Sequence, residues 1–247
     1  MNKLFKSLAV LLSCLLSTFS AASTNPPFLR IGLERFRPPF IYEDTAKLHT
    51  GYEVKLAKHL CKDLKVHCSY HYFYTQKEIF KALKKNQIDI ILDGIVPEQK
   101  RPGQIISIPY FISQSRILSP QNTTLKALQK TRKASIAFIK FRSGIAKFLS
   151  QYPGEYNLLE YPIVQSAMNA ISSNNSLFFL IDNQTAIYIT NNMQGFHLIG
   201  PIIQTNRSYS ILTNASNRQL IEKINQLLLK YENDGTYERL YKNFIVK

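Results

Sequence analysis

The stretch QKEIFKALKKNQIDIILDG, residues 76–94, decides the fold. Its first twelve residues place Ile79, Phe80 and Leu83 on one side of an amphipathic helix. The remaining seven, IDIILDG, form a largely apolar run that stops at Asp93-Gly94. Such a run suits a strand covered on both faces, as in a parallel sheet flanked by helices. Toward the N-terminus, VHCSYHYF (66–73) reads as a strand and YEVKLAKHLCKDL (52–64) as a helix, with Val54, Leu56, Ala57 and Leu60 near helical spacing. LRIGLE (29–34) has the alternation of a first strand, and RPPF (37–40) continues neither a helix nor a central strand, so it is a loop. The order β-α-β-α-β predicts a mainly parallel sheet with right-handed crossovers.

Toward the C-terminus a second cycle follows PYFISQSRILSP (109–120). KALQKT reads as helix, ASIAFI as strand, SGIAKFLSQY as helix, LLEYP as a short strand and VQSAMNAISSN as helix, before the apolar strand LFFLID (177–182). HLIGPIIQTNRSYSILT (197–213) is extended. In the final segment Leu220, Ile221, Ile224, Leu227, Leu228 and Tyr231 trace one helical face, and Gly235 stops that helix before a second, shorter one. Two similar cycles joined by extended segments predict an α/β chain of two lobes, each with a mainly parallel sheet. We place lobe 1 at 27–113 and 207–247, lobe 2 at 114–206, and the hinges near Ser113 and Asn206. A ligand then binds beyond the carboxyl ends of the strands, where Asp93-Gly94 and Asp182 lie. Asp182 has two readings: a cap for the helix QTAIYITNN, or a carboxylate that receives a cationic ligand group.

The chain has 247 residues, and the first 22 have the form of an export signal: basic MNKLFK, apolar SLAVLLSCLLSTF, then small Ser20-Ala21-Ala22. The apolar part is too short for an ordinary bilayer span. LLSC, ending at Cys14, imitates a lipid-attachment site loosely, so a soluble exported protein is the preferred reading over an anchored one. The formal net charge is +15; without Lys3 and Lys6, 29 basic against 16 acidic residues leave +13. These charges are scattered, with no zinc-finger spacing or RNA-binding signature, and we read them as a diffuse surface property rather than a nucleic-acid site. In an exported chain the pair Cys61 and Cys68 reads more simply as a disulfide than as a zinc site, although His59, His67 and His71 leave a metal reading open.

LRIGLERFRPPFIYED…GYEVKLAKHL resembles the opening of the bacterial extracellular solute-binding proteins of family 3. IFKALKKNQIDIILDGIVPEQKR…ISIPYF resembles their second block, and NDGTYERLYKNF their ending. The resemblance spans the mature chain. It implies a periplasmic, monomeric receptor that closes two lobes around a free polar amino acid and delivers it to an ABC transporter permease, without metal or organic cofactor. The cysteine pair resembles the disulfide of histidine- and lysine/arginine/ornithine-binding members. By the same resemblance, Arg101 holds the ligand α-carboxylate, with Lys100 as the alternative if the count runs back from Pro109. A guanidinium matches a carboxylate with paired donors. Ser143, in the family's Gly-Thr/Ser turn, assists at the carboxylate, and Asp182 accepts the α-ammonium.

Selectivity departs from the family pattern. Arg37 and Gln76 stand where many relatives carry aromatics, with Phe36, Tyr42 or Tyr74 as compensating rings. Val96 replaces a hydroxyl residue two positions beyond Gly94, with Ile95 between them. Glu34 and Asp93 add negative charge, so a basic, amide or cystine-like solute is expected. The competing reading is a cyclohexadienyl dehydratase-like enzyme on the same scaffold, with Glu34 or Asp93 as proton donor and Arg37 and Arg101 holding two carboxylates. A sensory or interaction module is the third class.

Overall fold

The computed structural model describes residues 27–120, 122–173 and 177–245. The expected leader and Cys14 lie outside the described residues. Lobe 1 begins with β1 (Phe28–Glu34), a two-strand ribbon of β2 (Tyr42–Glu43) and β3 (His49–Thr50), α1 (Tyr52–Leu64), β4 (His67–Phe73), α2 (Gln76–Lys84), β5 (Ile90–Ile95) and β6 (Gln104–Ile106). β7 (Phe111–Ser119) leads to lobe 2: α3 (Leu125–Lys130), β8 (Ala134–Phe138), α4 (Ile145–Gln151), β9 (Tyr156–Glu160), α5 (Val164–Ser173), β10 (Leu177–Asp182) and α6 (Asn183–Asn192). The long β11 (His197–Asn214) returns to lobe 1, which α7 (Arg218–Asn233) and α8 (Thr236–Phe244) complete.

Among the described residues the main strands form one continuous sheet in the order β4-β1-β5-β11-β7-β10-β8-β9, with β6 pairing β11. β1 runs parallel to β4 and β5, and β8 runs parallel to β9 and β10. The antiparallel joints are β5–β11, β11–β7 and β7–β10. Each lobe therefore has a parallel half, and two crossing strands weld the halves together. β11 can serve both because it is eighteen residues long and breaks register against β7 between Gln204 and Arg207, where Asn206 takes a positive φ of 55°. Such a break bends a strand without ending it.

Local sequence explains the elements that carry the site. α2 starts at Thr75, whose hydroxyl accepts from the Glu78 N–H while Glu78 reaches back to the Thr75 N–H, a reciprocal cap worth about 1 kcal/mol. Its apolar face buries Ile79, Phe80 and Leu83 against Ile91 and Ile95 of β5. α7 buries Ile221, Ile224, Leu228 and Tyr231 against β1 and α1, which brings the C-terminus back onto lobe 1. Lobe 2 packs α5 and α6 against one face of its sheet through Met168, Ile171, Phe179 and Ile189, and α3 and α4 against the other through Leu128, Phe148 and Leu180. The Cys61–Cys68 disulfide is formed, tying the end of α1 to β4 with a Cα separation of 6.1 Å. Among the described residues no helix is long and apolar enough to cross a membrane.

Candidate functional site

Because β1 and β5 are parallel, their carboxyl ends open on the same side. Glu34 ends β1 and Asp93 lies near the end of β5, and the Glu34 N–H donates to Asp93 Oδ1 at 3.2 Å. Glu53, in the first turn of α1, is the third carboxylate of lobe 1; all three are buried. A guanidinium from lobe 2 meets two of them. Arg142, four residues beyond β8 and 3% exposed, donates from Nη1 to Glu34 Oε2, and from Nη2 to Asp93 Oδ2 at 2.5 Å and to the Asp93 carbonyl at 3.2 Å. A guanidinium has donors only, so the Gln76 amide beside it, 2.5 Å from Nη2 and 3.1 Å from Nε, is assigned with its oxygen toward Arg142.

Arg37 lies deeper. Its Nη2 donates to Glu53 Oε2 at 2.6 Å, its Nε stands 3.9 Å from Asp93 Oδ1, and its guanidinium covers the ring of Phe40 at 4.3 Å. Gly94 makes room for it: φ there is +57°, and a Cβ would stand 2.9 Å from Arg37 Nη2. The Tyr110 hydroxyl donates to Glu53 Oε1 at 2.5 Å and accepts from the Gly94 N–H at 3.0 Å. Arg37 Nε and Nη1 are buried without a hydrogen-bond partner, as is Ser143 Oγ.

Asp182 closes the cluster from lobe 2. Oδ1 accepts from the N–H groups of Gln184 (2.9 Å) and Thr185 (3.4 Å), so it does cap α6. Oδ2 accepts from the Tyr209 hydroxyl at 2.6 Å, and the Tyr209 ring lies 5.4 Å from the Arg37 guanidinium. Three buried carboxylates of lobe 1 thus surround two buried guanidiniums, with the buried Asp182 beside them on Tyr209. The electrostatics follow from that crowding. Burial lifts the Glu34 carboxyl to about 7 against the pull of Arg142, and burial likewise raises Glu53 and Asp182. For both arginines burial opposes the charge, yet Glu53 and Asp93 raise Arg37, and Asp93 and Glu34 raise Arg142.

At the mouth between the lobes a cavity of about 410 Å³ is lined by Glu34, Phe36, Glu43 and Tyr74 from lobe 1 and by Ile163 and Gln165 from lobe 2. Arg35 stacks there on Tyr74, 5.3 Å from the ring centroid, and donates to the Tyr74 hydroxyl at 2.9 Å. Two of the three rings proposed to compensate for missing aromatics are therefore at the mouth. The third, Tyr42, packs on Tyr188 with centroids 5.4 Å apart.

The structure brings Glu34, Arg37, Gln76, Asp93 and Gly94 together, with Asp182 joined through Tyr209 and Ser143 adjacent to Arg142 in the chain. Ile95 and Val96 turn their side chains into hydrophobic clusters of lobe 1. Arg101 stands apart: it is exposed, its guanidinium lies 4.6 Å from the Phe80 ring centroid, and its backbone N–H donates to Gln104 Oε1. Lys100 is exposed as well. Arg142, Glu53, Tyr110 and Tyr209 were not singled out from sequence. Only Arg142 carried a signal, as the residue preceding Ser143 beyond a strand end.

A two-lobed α/β frame with buried charge gathered between the lobes is the architecture of a solute-binding protein. The chain belongs to the bacterial extracellular solute-binding proteins, family 3, whose model matches residues 29–247. It is 21% identical to the "Arginine-binding periplasmic protein" of Mannheimia haemolytica over 222 residues, covering 87% of this chain and 90% of that one. Among solved structures it is similar to an arginine 3rd transport system periplasmic binding protein from Legionella pneumophila, with a TM-score of 0.76, 27% identity, and coverage of 88% of this chain and 99% of that one. It shares its fold with the ancestral amino acid-binding protein AncCDT-1, a precursor of cyclohexadienyl dehydratase, at a TM-score of 0.73, 20% identity, and coverage of 88% and 95%.

Proposed function

We propose that this chain is a periplasmic receptor for a free basic amino acid, arginine foremost, which it delivers to an ABC importer. One observation carries the reading: Glu34 and Asp93, both buried, already hold a guanidinium between them in the form of Arg142. A carboxylate pair that binds one guanidinium with charge-assisted hydrogen bonds has the chemistry to bind another. Carboxyl groups outnumber guanidiniums there, and a cationic side chain stabilises their ionised forms where an amide or cystine does not. The arginine-binding relatives support the same choice.

The poles of the amino acid have candidates in the same cluster. Asp182 Oδ2 has acceptor capacity beyond its bond from Tyr209 and takes the α-ammonium. The α-carboxylate goes to the unpartnered Nε and Nη1 of Arg37 with Ser143 Oγ, because Arg101 would have to leave the Phe80 ring to reach it. The hinge lies where β11 breaks register beside Ser113 and Asn206, and solute favours the closed arrangement.

Thermal-shift screening of the mature protein against all amino acids and cystine, followed by calorimetry, tests the reading. Arginine, lysine or ornithine is expected to give the largest stabilisation; a response confined to neutral solutes would refute it. Arg37→Lys, which keeps the charge and loses the paired donors, should weaken binding tenfold or more, with Arg101→Ala within threefold of the parent. The reverse order would return the carboxylate to Arg101. Sustained turnover of prephenate would replace the receptor by the dehydratase-like enzyme.

A further inference from the structure

We infer that Arg142 is a tethered occupant of the solute site, and thereby a specificity-determining residue. It sits where the solute's cationic group is to bind, holds the lobes together in its absence, and must be displaced by any solute that enters. The side-chain reading of Glu34 and Asp93 as the solute's partners is that of the proposed function; the interlobe tether stands on geometry alone.

Three observations carry it. Among the described residues, Arg142 is the one side chain of lobe 2 whose guanidinium is spent on lobe 1 carboxylates, across 108 residues of chain to Glu34 and 49 to Asp93. It is held from several sides: two carboxylates and a backbone carbonyl receive its donors, with the Gln76 amide beside them. The turn that presents it is built for the purpose. Arg142 and Ser143 both donate their N–H groups to the Ile139 carbonyl, and Phe141 is held at φ 64°, a conformation that bulky residues rarely adopt. Phe141 also packs against the lobe 1 core, so the turn crosses the cleft as a unit.

An internal guanidinium at this place competes with an external one at the effective concentration set by its short tether. The apparent affinity for a basic solute is the intrinsic affinity multiplied by the fraction of molecules in which Arg142 is undocked. A weakly bound cation leaves the latch shut; only a solute that also engages the ammonium and carboxylate anchors displaces it. The site thereby selects whole amino acids over simple amines and guanidines.

The test compares the parent with Arg142→Gln, and with Arg142→Lys, which retains the charge without the fork. Spin labels at exposed Lys77 and Asn169, on either side of the mouth, report interlobe distance without solute, and calorimetry reports arginine affinity. The Gln variant should show a longer distance and bind arginine at least tenfold more tightly; the Lys variant should fall between it and the parent. Unchanged distance in the Gln variant, or weaker arginine binding than the parent, would overturn the proposal. If arginine binds none of the three proteins, the basic-solute reading falls while the distance measurement still decides the tether. Far-ultraviolet circular dichroism identifies a variant that fails to fold, in which case the Lys variant supplies both readouts.

Discussion

Glu34 is the group whose titration reports on the closed cleft. It lies between Arg142 and the Asp93 region, 3% exposed, and burial lifts its pKa from the ordinary 4.5 to about 7. An acid with a higher pKa in the folded chain holds its proton more tightly when folded. Its contribution to stability is therefore fully present below pH 4.5 and is lost as the pH rises through about 7. The difference between 4.5 and about 7 corresponds to on the order of 3 kcal/mol. Urea unfolding of the solute-free protein between about pH 5 and about pH 8 measures it, beside Glu34→Gln, whose amide mimics the protonated acid. The parent should lose stability across that range relative to the variant. Glu53 and Asp182, also raised by burial, slope the same way in both proteins, and His49 and His59, lowered by burial, slope the opposite way in both. Parallel profiles for parent and variant would refute the burial of Glu34 against Arg142.

Asp182→Ala removes the α6 cap and the acceptor for Tyr209, so it should cost about 1–2 kcal/mol in unfolding experiments and abolish the calorimetric signal of the solute. Asp182→Asn keeps a capping oxygen and should lose binding with a smaller stability cost. Gly94→Ala forces a Cβ onto Arg37 at a positive φ; a loss of about 1–3 kcal/mol is expected, with weakened solute binding. Replacing both Cys61 and Cys68 by Ser should cost roughly 2–3 kcal/mol for a loop this short, while leaving solute affinity at room temperature within threefold.

Much of the fold was legible because its periodicities are local. The switch within residues 76–94 from a helical pattern to an apolar run marks α2 and β5, and the same switch recurs before β10. What was not legible depends on which ends meet across the chain. The uninterrupted sheet follows from β11 pairing β5 and β6 at one end and β7 at the other, and an eighteen-residue extended segment does not announce its partners. The short β2, β3 and β6 carry too few residues for any pattern to register.

At the site, strand-end position exposed Glu34, Asp93 and Asp182, because carboxylates that close apolar runs are conspicuous. Arg142 and Glu53 were hidden for opposite reasons. Glu53 looks like an ordinary acid in the first turn of a helix, and Arg142 like one cation in a strongly basic chain. Their meaning comes from burial, which charge counts do not reveal. For Asp182 the capping reading holds: one oxygen caps a helix, while the other accepts from Tyr209. Arg101 illustrates the converse, since a position fixed by counting along a motif says nothing about where a long side chain rests.

The most direct measurement is a crystal structure of the protein with arginine. With arginine bound, the solute guanidinium should lie between Glu34 and Asp93, its ammonium on Asp182, and Arg142 withdrawn from both carboxylates. Arg142 still seated on Glu34 and Asp93 with solute bound elsewhere would contradict it.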